Sequence, residues 1–172
     1  MDGNKKRLLC LASPSGGGKS TVARHLLSKY KNLSFSISAT TRQPRKKELD
    51  GREYYFLAKE EFEKRIESGK LVEYEEIFGN YYGTLKFEVD RLLNAGYNIL
   101  FDIDVKGALS IKQVYPDDTI TVFLKPESLE VLKSRLRKRS SETEEQIQTR
   151  LARAEMEMNM QDKFDYVVVN EK

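Results

Sequence analysis

A short apolar run, a glycine-rich loop and a helical pattern follow one another near the start of this chain. Leu8–Ala12 is wholly apolar, which is typical of a strand that is buried on both faces. The loop after it carries three successive glycines, and an amphipathic pattern from Ser20 to Tyr30 follows at once. In this order the loop is typical of a P-loop, where backbone N–H groups and a helix N-terminus surround phosphate oxygens. The arrangement predicts a parallel α/β sheet that binds a nucleoside triphosphate.

The loop also predicts which residues meet ATP and its metal. Lys19 is expected to reach the β- and γ-phosphates as a catalytic cation, and Ser20 to place its hydroxyl on Mg²⁺. Asp102 lies at the end of a later apolar run, where a strand-end carboxylate can hold the water shell of the metal. The predicted ATP-binding loop is Ser13, Pro14, Ser15, Gly16, Gly17, Gly18, Lys19, Ser20 and Thr21. Because Ser13 replaces the first glycine of the full motif, a glycine-rich surface turn is the alternative interpretation.

Three further apolar runs alternate with helix-length amphipathic segments in the second half of the chain. The runs are 99–103, 120–124 and 166–169, and the helical segments between them are 105–114 and 127–139. Alternation of this kind predicts parallel strands that are covered by helices.

Residues 34–83 do not follow this alternation. They carry turn signals, one helical segment and several strand-like pieces, which predicts a mostly antiparallel insertion that binds the acceptor. The strand-like pieces are 34–38, 54–56 and 71–78, and the helix is 59–68. Farther along the chain, Ser141 and Glu144 form a capping-box pattern that predicts a long helix reaching about Met160.

The charge and cysteine content exclude several classes of partner. With 30 Lys and Arg against 27 Asp and Glu, the net charge is only +3, far from that of a protein that coats nucleic acid. The single cysteine, Cys10, excludes a disulfide framework or a thiolate zinc site built from this chain alone. No apolar run approaches the ~20 residues of a membrane span, and the first is too short for a signal peptide. We therefore expect a cytoplasmic protein with no nucleic-acid or membrane partner.

Two arginines stand close together early in the insertion. Arg42 and Arg45 are three positions apart on a stretch that Pro44 stiffens. Two guanidinium groups at this spacing suit a dianionic phosphate. A solvated basic turn is the alternative interpretation.

Around these arginines the sequence resembles the guanylate kinases. The resemblance extends from about Lys6 to Asn170, and it rests on the segments 36–45, 50–56, 71–74, 79–84, 100–104 and 105–107. It implies that phosphate passes from ATP, with Mg²⁺, to GMP. The positions that match the residues binding the GMP phosphate are Arg42, Arg45, Tyr54 and Tyr82. The positions that match the guanine-reading residues are Ser38, Glu73, Thr84 and Asp104, and Asn170 matches a position near the adenine of ATP.

The chemistry of these side chains agrees with guanine as the base. Guanine offers N1–H and a 2-amino group as donors, and a carboxylate such as Glu73 can accept both. The hydroxyl of Ser38 or Thr84 can donate to O6 of guanine. Considered singly, Glu73 also fits an exposed strand residue, and Tyr82 also fits a packing aromatic.

Basic residues crowd the end of the 127–139 segment and continue on the next helix. In the guanylate kinases the matching segment is a mobile lid over ATP, and its phosphate-contacting arginines match Arg135, Arg139 and Arg150. Such donors stabilise the charge on the transferring phosphoryl group. A solvated helix face is the alternative interpretation. The resemblance implies a single domain over 1–172, with a core (1–33, 84–125 and 156–172), a GMP-binding insertion (about 34–83) and a lid (about 126–155).

Other functions fit parts of this pattern. Guanylate-kinase-like modules that have lost catalysis bind phosphopeptides with the same arginines, but such a module has no reason to keep Lys19, Ser20 and Asp102. A related kinase would take AMP, a pyrimidine monophosphate or a sugar phosphate, and Glu73 argues against it. A nucleic-acid-binding role has only the local basic cluster in its favour, with no aromatic platform beside it.

Overall fold

The structure is a computed structural model that describes residues 7–14, 17–138 and 143–171. Its strands are β1 (Leu8–Ala12), β2 (Leu33–Phe35), β3 (Ala39–Thr40), β4 (Tyr55–Phe56), β5 (Leu71–Ile77), β6 (Asn80–Leu85), β7 (Asn98–Asp102), β8 (Thr119–Pro126) and β9 (Tyr166–Asn170). Its helices are α1 (Lys19–Lys29), α2 (Lys59–Glu67), α3 (Lys86–Asn94), α4 (Val105–Val114), α5 (Leu129–Lys138) and α6 (Glu144–Met158), with a 3-10 turn at Gln161–Lys163. Within the described ranges, no helix is both long and apolar enough to cross a membrane.

Five strands form a wholly parallel sheet in the order β2-β7-β1-β8-β9. The central strand β1 is buried on both faces, since Cys10 and Leu11 have almost no exposed surface. Phe101 of β7, Phe123 of β8 and Ile111 of α4 pack in one apolar core with Cys10. The predicted alternation of parallel strands and covering helices is therefore confirmed. The expectation that the run 166–169 is buried on both faces is wrong, because β9 is the edge strand next to β8 and Val167, Val168 and Val169 are exposed.

A smaller sheet has the order β4-β3-β6-β5 and is antiparallel except for the β3–β4 pair. Phe62 of α2 is fully buried and packs with Leu71 and Leu85 against this sheet. The predicted mostly antiparallel sheet is thus present, and its strand β5 packs against α4 beside the main sheet.

Two elements between these sheets differ from the sequence prediction. The strand at 34–38 was expected in the insertion, and this is wrong, because β2 pairs in parallel with β7 at the edge of the main sheet. The reason is packing, since Leu33 contacts the apolar cluster that contains Leu100. The helix α3 has no counterpart among the predicted elements, although Val89 and Leu92 are buried in the main core.

The helix α6 begins later than predicted. Its N-cap is Thr143, whose hydroxyl accepts the Gln146 N–H at 3.3 Å, while the Gln146 side chain accepts the Thr143 N–H at 2.9 Å. Glu144 is the first helical residue, so the predicted capping box of Ser141 and Glu144 is wrong. Ser141 itself lies outside the described residues. Both pairs have the spacing of a capping box, and the helix starts at the later one.

Candidate active site

The glycine-rich loop lies at the carboxyl end of β1 and leads into α1. Gly17 donates its N–H to the Pro14 carbonyl at 2.9 Å, and Gly18 has a φ of +89°, which glycine adopts without steric cost. The side-chain amide of Asn170, at the end of β9, donates to the Gly17 carbonyl at 2.8 Å. Asn170 therefore contacts the loop that the sequence assigns to ATP. Two predicted loop residues lie outside the described ranges, namely Ser15 and Gly16.

Lys19, Ser20 and Asp102 meet where β1 and β7 end. The Ser20 hydroxyl donates to the Asp102 carboxylate, with 2.9 Å between Oγ and Oδ2. Lys19 Nζ donates to the backbone oxygen of Ser13 at 3.4 Å and lies 4.0 Å from Asp102 Oδ1. Hydroxyl and carboxylate oxygens are hard ligands that fit Mg²⁺, which also keeps waters and substrate phosphates in its shell. The described residues contain no cluster of three or more His, Cys, Asp or Glu side chains that could hold a metal by themselves.

A cleft of about 280 Å³ has this group on one side and the second sheet on the other. On the loop side it is lined by the predicted residues Ser13, Lys19, Ser20 and Asp102. The second sheet and the segments beside it contribute the predicted residues Ser38, Tyr54, Glu73 and Tyr82, and the start of α4 contributes Asp104. Ser13 and Asp104, which lie 91 positions apart in the chain, therefore face one space.

Glu73 is a shielded carboxylate of this cleft. It lies on β5 with 9% of its surface exposed, and Thr84 Oγ1 on β6 donates to its Oε1 at 2.6 Å. Burial raises the pKa of Glu73 to about 7, although the hydrogen bonds from Thr84 oppose the shift. A carboxylate has about four lone-pair sites, so sites remain for donor hydrogens of a ligand in the cleft.

Asp104 lies close to Glu73. Its carboxylate caps α4 and accepts the N–H groups of Lys106 and Gly107, each at 3.2 Å. A Cβ atom on Gly107 would lie 2.8 Å from Asp104 Oδ1 and 2.9 Å from Glu73 Oε2. The two carboxylates thus approach the same point at the start of α4, and together they offer several acceptors to one ligand.

A third carboxylate and an arginine complete this end of the cleft. Arg153 of α6 donates from Nη2 to Glu75 Oε1 at 3.3 Å and to Asp104 Oδ2 at 3.4 Å. Burial, and then the hydrogen bond with Glu75, raise the pKa of Asp104 to about 8. The pKa of Glu75 is lowered, because the hydrogen bond from Asp104 and the charges of Arg153 and Lys106 outweigh its burial. The two carboxyl groups thus differ in their affinity for a proton.

The two predicted phosphate-binding arginines contact an internal carboxylate, Glu48, and neither of them is among the residues that line the cleft. Arg42 Nη2 donates to both oxygens of Glu48 at 3.0 Å, and the Arg45 backbone N–H donates to Glu48 Oε2 at 2.7 Å. The Arg42 guanidinium also lies 5.4 Å from the ring centre of Tyr54, whose ring meets that of Tyr82 edge-on at 6.2 Å. Burial raises the pKa of Tyr54, so its phenol remains a donor. Glu48 therefore occupies the donor group of Arg42 that a phosphate ligand would bind.

Neither of the predicted lid arginines that the structure describes, Arg135 and Arg150, lines the cleft. Arg135 lies on α5 and is partly exposed, whereas Arg139 lies outside the described residues. The Arg150 guanidinium lies 5.7 Å from the ring centre of Phe78, and that of Arg153 lies 6.0 Å from it. Of these arginines, Arg153 is the one that lines the cleft among the described residues.

Sequence reasoning assigned no role to three residues that contact the predicted site. Arg153 stands three positions after Arg150, so the helical period already puts both on one face. Glu75 shares a strand face with Glu73 by the period of two. Glu48 is an acidic residue within a basic stretch, and only that composition indicates a partner for Arg42.

Comparisons with known proteins agree on one family. The family model described as guanylate kinase matches residues 5–172. The chain is 50% identical over 165 residues to the guanylate kinase of Chlorobaculum tepidum, covering 96% of this chain and 85% of that protein. It is also 50% identical over 167 residues to the guanylate kinase of Porphyromonas gingivalis, covering 96% and 89%. The crystal structure of guanylate kinase from Anaplasma phagocytophilum superimposes with a TM-score of 0.78 at 32% identity, covering 99% of this chain and 79% of that one.

Proposed function

Since this chain belongs to the guanylate kinase family and is a kinase, we propose that it transfers the γ-phosphate of ATP to GMP by Mg²⁺-dependent in-line transfer, which yields ADP and GDP. The observation that best supports the proposal is the shared cleft, with Lys19 on one side and Glu73 on the other. A P-loop binds the phosphates of a nucleotide such as ATP, and the acidic groups of Glu73 and Asp104 in the same cleft suit a base rich in donors. Both substrates then lie in one space, as direct transfer requires.

On the ATP side, the loop from Ser13 to Thr21 holds the phosphates, and Asn170 lies near the adenine. Lys19 places its charge on the β- and γ-phosphates, where negative charge redistributes during transfer. Ser20 and Asp102 hold Mg²⁺, which neutralises phosphate charge when bound. The 2.9 Å contact between Ser20 and Asp102 supports this assignment, because it already brings the two oxygen ligands together.

On the acceptor side, the carboxylates of Glu73 and Asp104 accept the donor hydrogens of guanine. Guanine carries three such hydrogens on one edge, the N1–H and two on the 2-amino group, whereas adenine has no N1–H. The Ser38 hydroxyl lines the cleft and completes the base site. The Thr84 hydroxyl is fully buried and donates its one hydrogen to Glu73 at 2.6 Å, so it orients Glu73 instead of donating to O6 of guanine.

The GMP phosphate binds to Arg42, Arg45, Tyr54 and Tyr82. Two guanidinium groups and two phenols supply donors enough for a dianion. In this arrangement Glu48 gives up part of its contact with Arg42 when the phosphate arrives. The bidentate pair at 3.0 Å holds Arg42 in place until then.

The lid supplies the remaining positive charge. We assign Arg135, Arg139 and Arg150 to the transferring phosphoryl group, where guanidinium donors stabilise the transition state. Closure of the segment at about 126–155 also excludes water, which prevents loss of ATP to hydrolysis.

The direct test is ADP release from ATP and Mg²⁺ with and without GMP. We expect rapid release that depends on GMP, with GDP formed in equal amount, and a loss of on the order of 10² to 10³-fold in kcat for Lys19→Ala. The matched control is Lys29→Ala at the end of the same helix, which we expect to behave as wild type. Binding of GMP without ADP release would instead identify a binding module.

A further inference from the structure

We propose that Arg153 is a positioning residue for the acceptor base, a role that rests on the proposed function. It joins the second sheet to the main sheet beside Glu73, and it holds Asp104 where that carboxylate accepts a hydrogen of the guanine 2-amino group. No motif of the sequence indicates this role, and the proposal rests on the contacts of one guanidinium group.

Arg153 contacts carboxylates from three different elements. Its Nη2 lies 3.3 Å from Glu75 Oε1 on β5 and 3.4 Å from Asp104 Oδ2 at the start of α4. Its Nε donates to Glu157 Oε1, one turn along α6, at 2.8 Å. These side chains are 5 to 19% exposed, so solvent screens the contacts much less than it screens a surface pair.

The geometry connects this network to the base. One carboxylate cannot accept all three donor hydrogens of guanine in its own plane, and Glu73 already accepts the Thr84 hydroxyl. Asp104 is the adjacent carboxylate, since its Oδ1 and the Oε2 of Glu73 both reach the point where a Gly107 Cβ would lie. Asp104 Oδ2 is the atom that Arg153 holds. A rotation of Asp104 would remove the second acceptor and leave Glu73 in place.

Charge balance explains why this residue is a cation. Glu73, Glu75, Asp104 and Glu157 converge on a small volume, and Arg153 contacts three of the four. Without the guanidinium, Glu75 and Glu157 lose the buried cation that they share, and Asp104 Oδ2 loses its contact with α6. Lys106 Nζ lies 3.2 Å from Glu75 Oε1 but is about half exposed, so it replaces the buried cation only weakly.

Steady-state kinetics with GMP and IMP test the proposal, because IMP keeps the phosphate and N1–H but lacks the 2-amino group. We expect Arg153→Gln to lower kcat/KM for GMP by roughly 10 to 100-fold, mainly through KM, as for loss of a charged hydrogen bond. The loss with IMP should be smaller, so the preference for GMP over IMP shrinks, while KM for ATP stays near wild type. Arg153→Lys keeps the charge but loses the fork, and it should recover part of the preference.

Arg65→Gln is the matched control, since Arg65 also pairs with a glutamate of its own helix, Glu61, but lies outside the cleft. A lower Tm for Arg153→Gln with an unchanged GMP-to-IMP ratio would overturn the proposal and leave a structural role. Equal losses with GMP and IMP would also overturn it, because they indicate general repulsion of the phosphate. If Arg153→Gln does not fold, the GMP-to-IMP ratio of kcat/KM for Arg153→Lys tests the proposal instead, and an unchanged ratio there would overturn it. A wild-type enzyme inactive with GMP would reject the proposed function itself.

Discussion

Among single residues, Glu73 has the surroundings that base recognition requires. It is shielded from water, bonded to Thr84 at 2.6 Å and close to Asp104. Glu73→Gln keeps the size of the side chain but turns one acceptor into a donor that faces a donor of guanine. A lost charged hydrogen bond predicts a fall of roughly 10 to 150-fold in kcat/KM for GMP. The preference for GMP over IMP should shrink with it, and an unchanged preference would show that Glu73 does not contact the 2-amino group.

The raised pKa of Glu73 predicts a pH dependence of GMP binding. Its pKa of about 7 lies above the ordinary value of 4.5, so the free enzyme carries a protonated, uncharged carboxyl below that pH. The protonated group offers a hydrogen to guanine donors, so KM for GMP should fall as the pH rises through 7. Asp104, whose pKa burial raises to about 8, adds a second fall in KM at higher pH. The GMP phosphate titrates near pH ~6 in the same direction. Glu73→Gln is therefore the control, and an identical profile in the variant would contradict the assignment.

Adding one methyl group at Gly107 tests whether the positions of the Glu73 and Asp104 carboxylates matter for GMP. A Cβ there would lie within 3 Å of both Asp104 Oδ1 and Glu73 Oε2, so at least one of the two carboxylates must move, although alanine itself favours a helix. We expect Gly107→Ala to lower kcat/KM for GMP by up to ~10²-fold, since misplacement by about 1 Å has that effect. KM for ATP should be unchanged. Gln113→Ala, exposed on the same helix, is the control, and wild-type kinetics of Gly107→Ala would contradict the account.

At the scale of elements, unbroken apolar runs predicted the four parallel strands β1, β7, β8 and β9. The sequence pattern did not predict that β9 is exposed, and it placed neither β2 nor α3 correctly. β1 has the predicted bounds because every residue from Leu8 to Ala12 is apolar and shielded or partly shielded. β2 was assigned to the wrong sheet, since three residues carry too little pattern to choose a neighbour, and pairing with β7 depends on the whole core. α3 has a buried glutamate, Glu88, on its inner face, which breaks the apolar stripe that would have predicted it.

Arg150 of α6 contacts the turn between β5 and β6, and its assigned role in the lid leads to a kinetic prediction. Arg150 lies over the ring of Phe78, a turn residue with φ of +50°. We assign Arg150 to the transferring phosphate, so Arg150→Ala should reduce kcat more than it raises KM for GMP. Arg137→Ala, which removes an exposed pair with Glu144, is the matched control. Normal turnover of Arg150→Ala with a change only in solubility would show that Arg150 belongs to a solvated helix face and has no role in transfer.

For the whole molecule, the site was more predictable than its internal contacts. Residues from the P-loop, the insertion and the strand ends were identified separately, and nine of them line one cleft. The resemblance supplied their roles, because spacing alone does not say which base a carboxylate binds. Glu48 and Arg153 received no role for different physical reasons. Glu48 contacts Arg42 only six positions away, but in a segment without a helix or strand period, and Arg153 contacts Asp104 of another element, 49 positions away. The division into core, insertion and lid stays a prediction.

The central claim is that guanine is the base of the acceptor. The most direct measurement is kcat/KM for GMP, AMP, CMP and UMP with saturating ATP and Mg²⁺ in a coupled ADP-release assay. A site that pairs buried polar groups with its substrate can reject an analogue that lacks them by as much as ~10⁴-fold. We predict a value for GMP that exceeds that for AMP by a factor approaching this limit, with the pyrimidine nucleotides lower still. Comparable values for AMP and GMP would contradict the account.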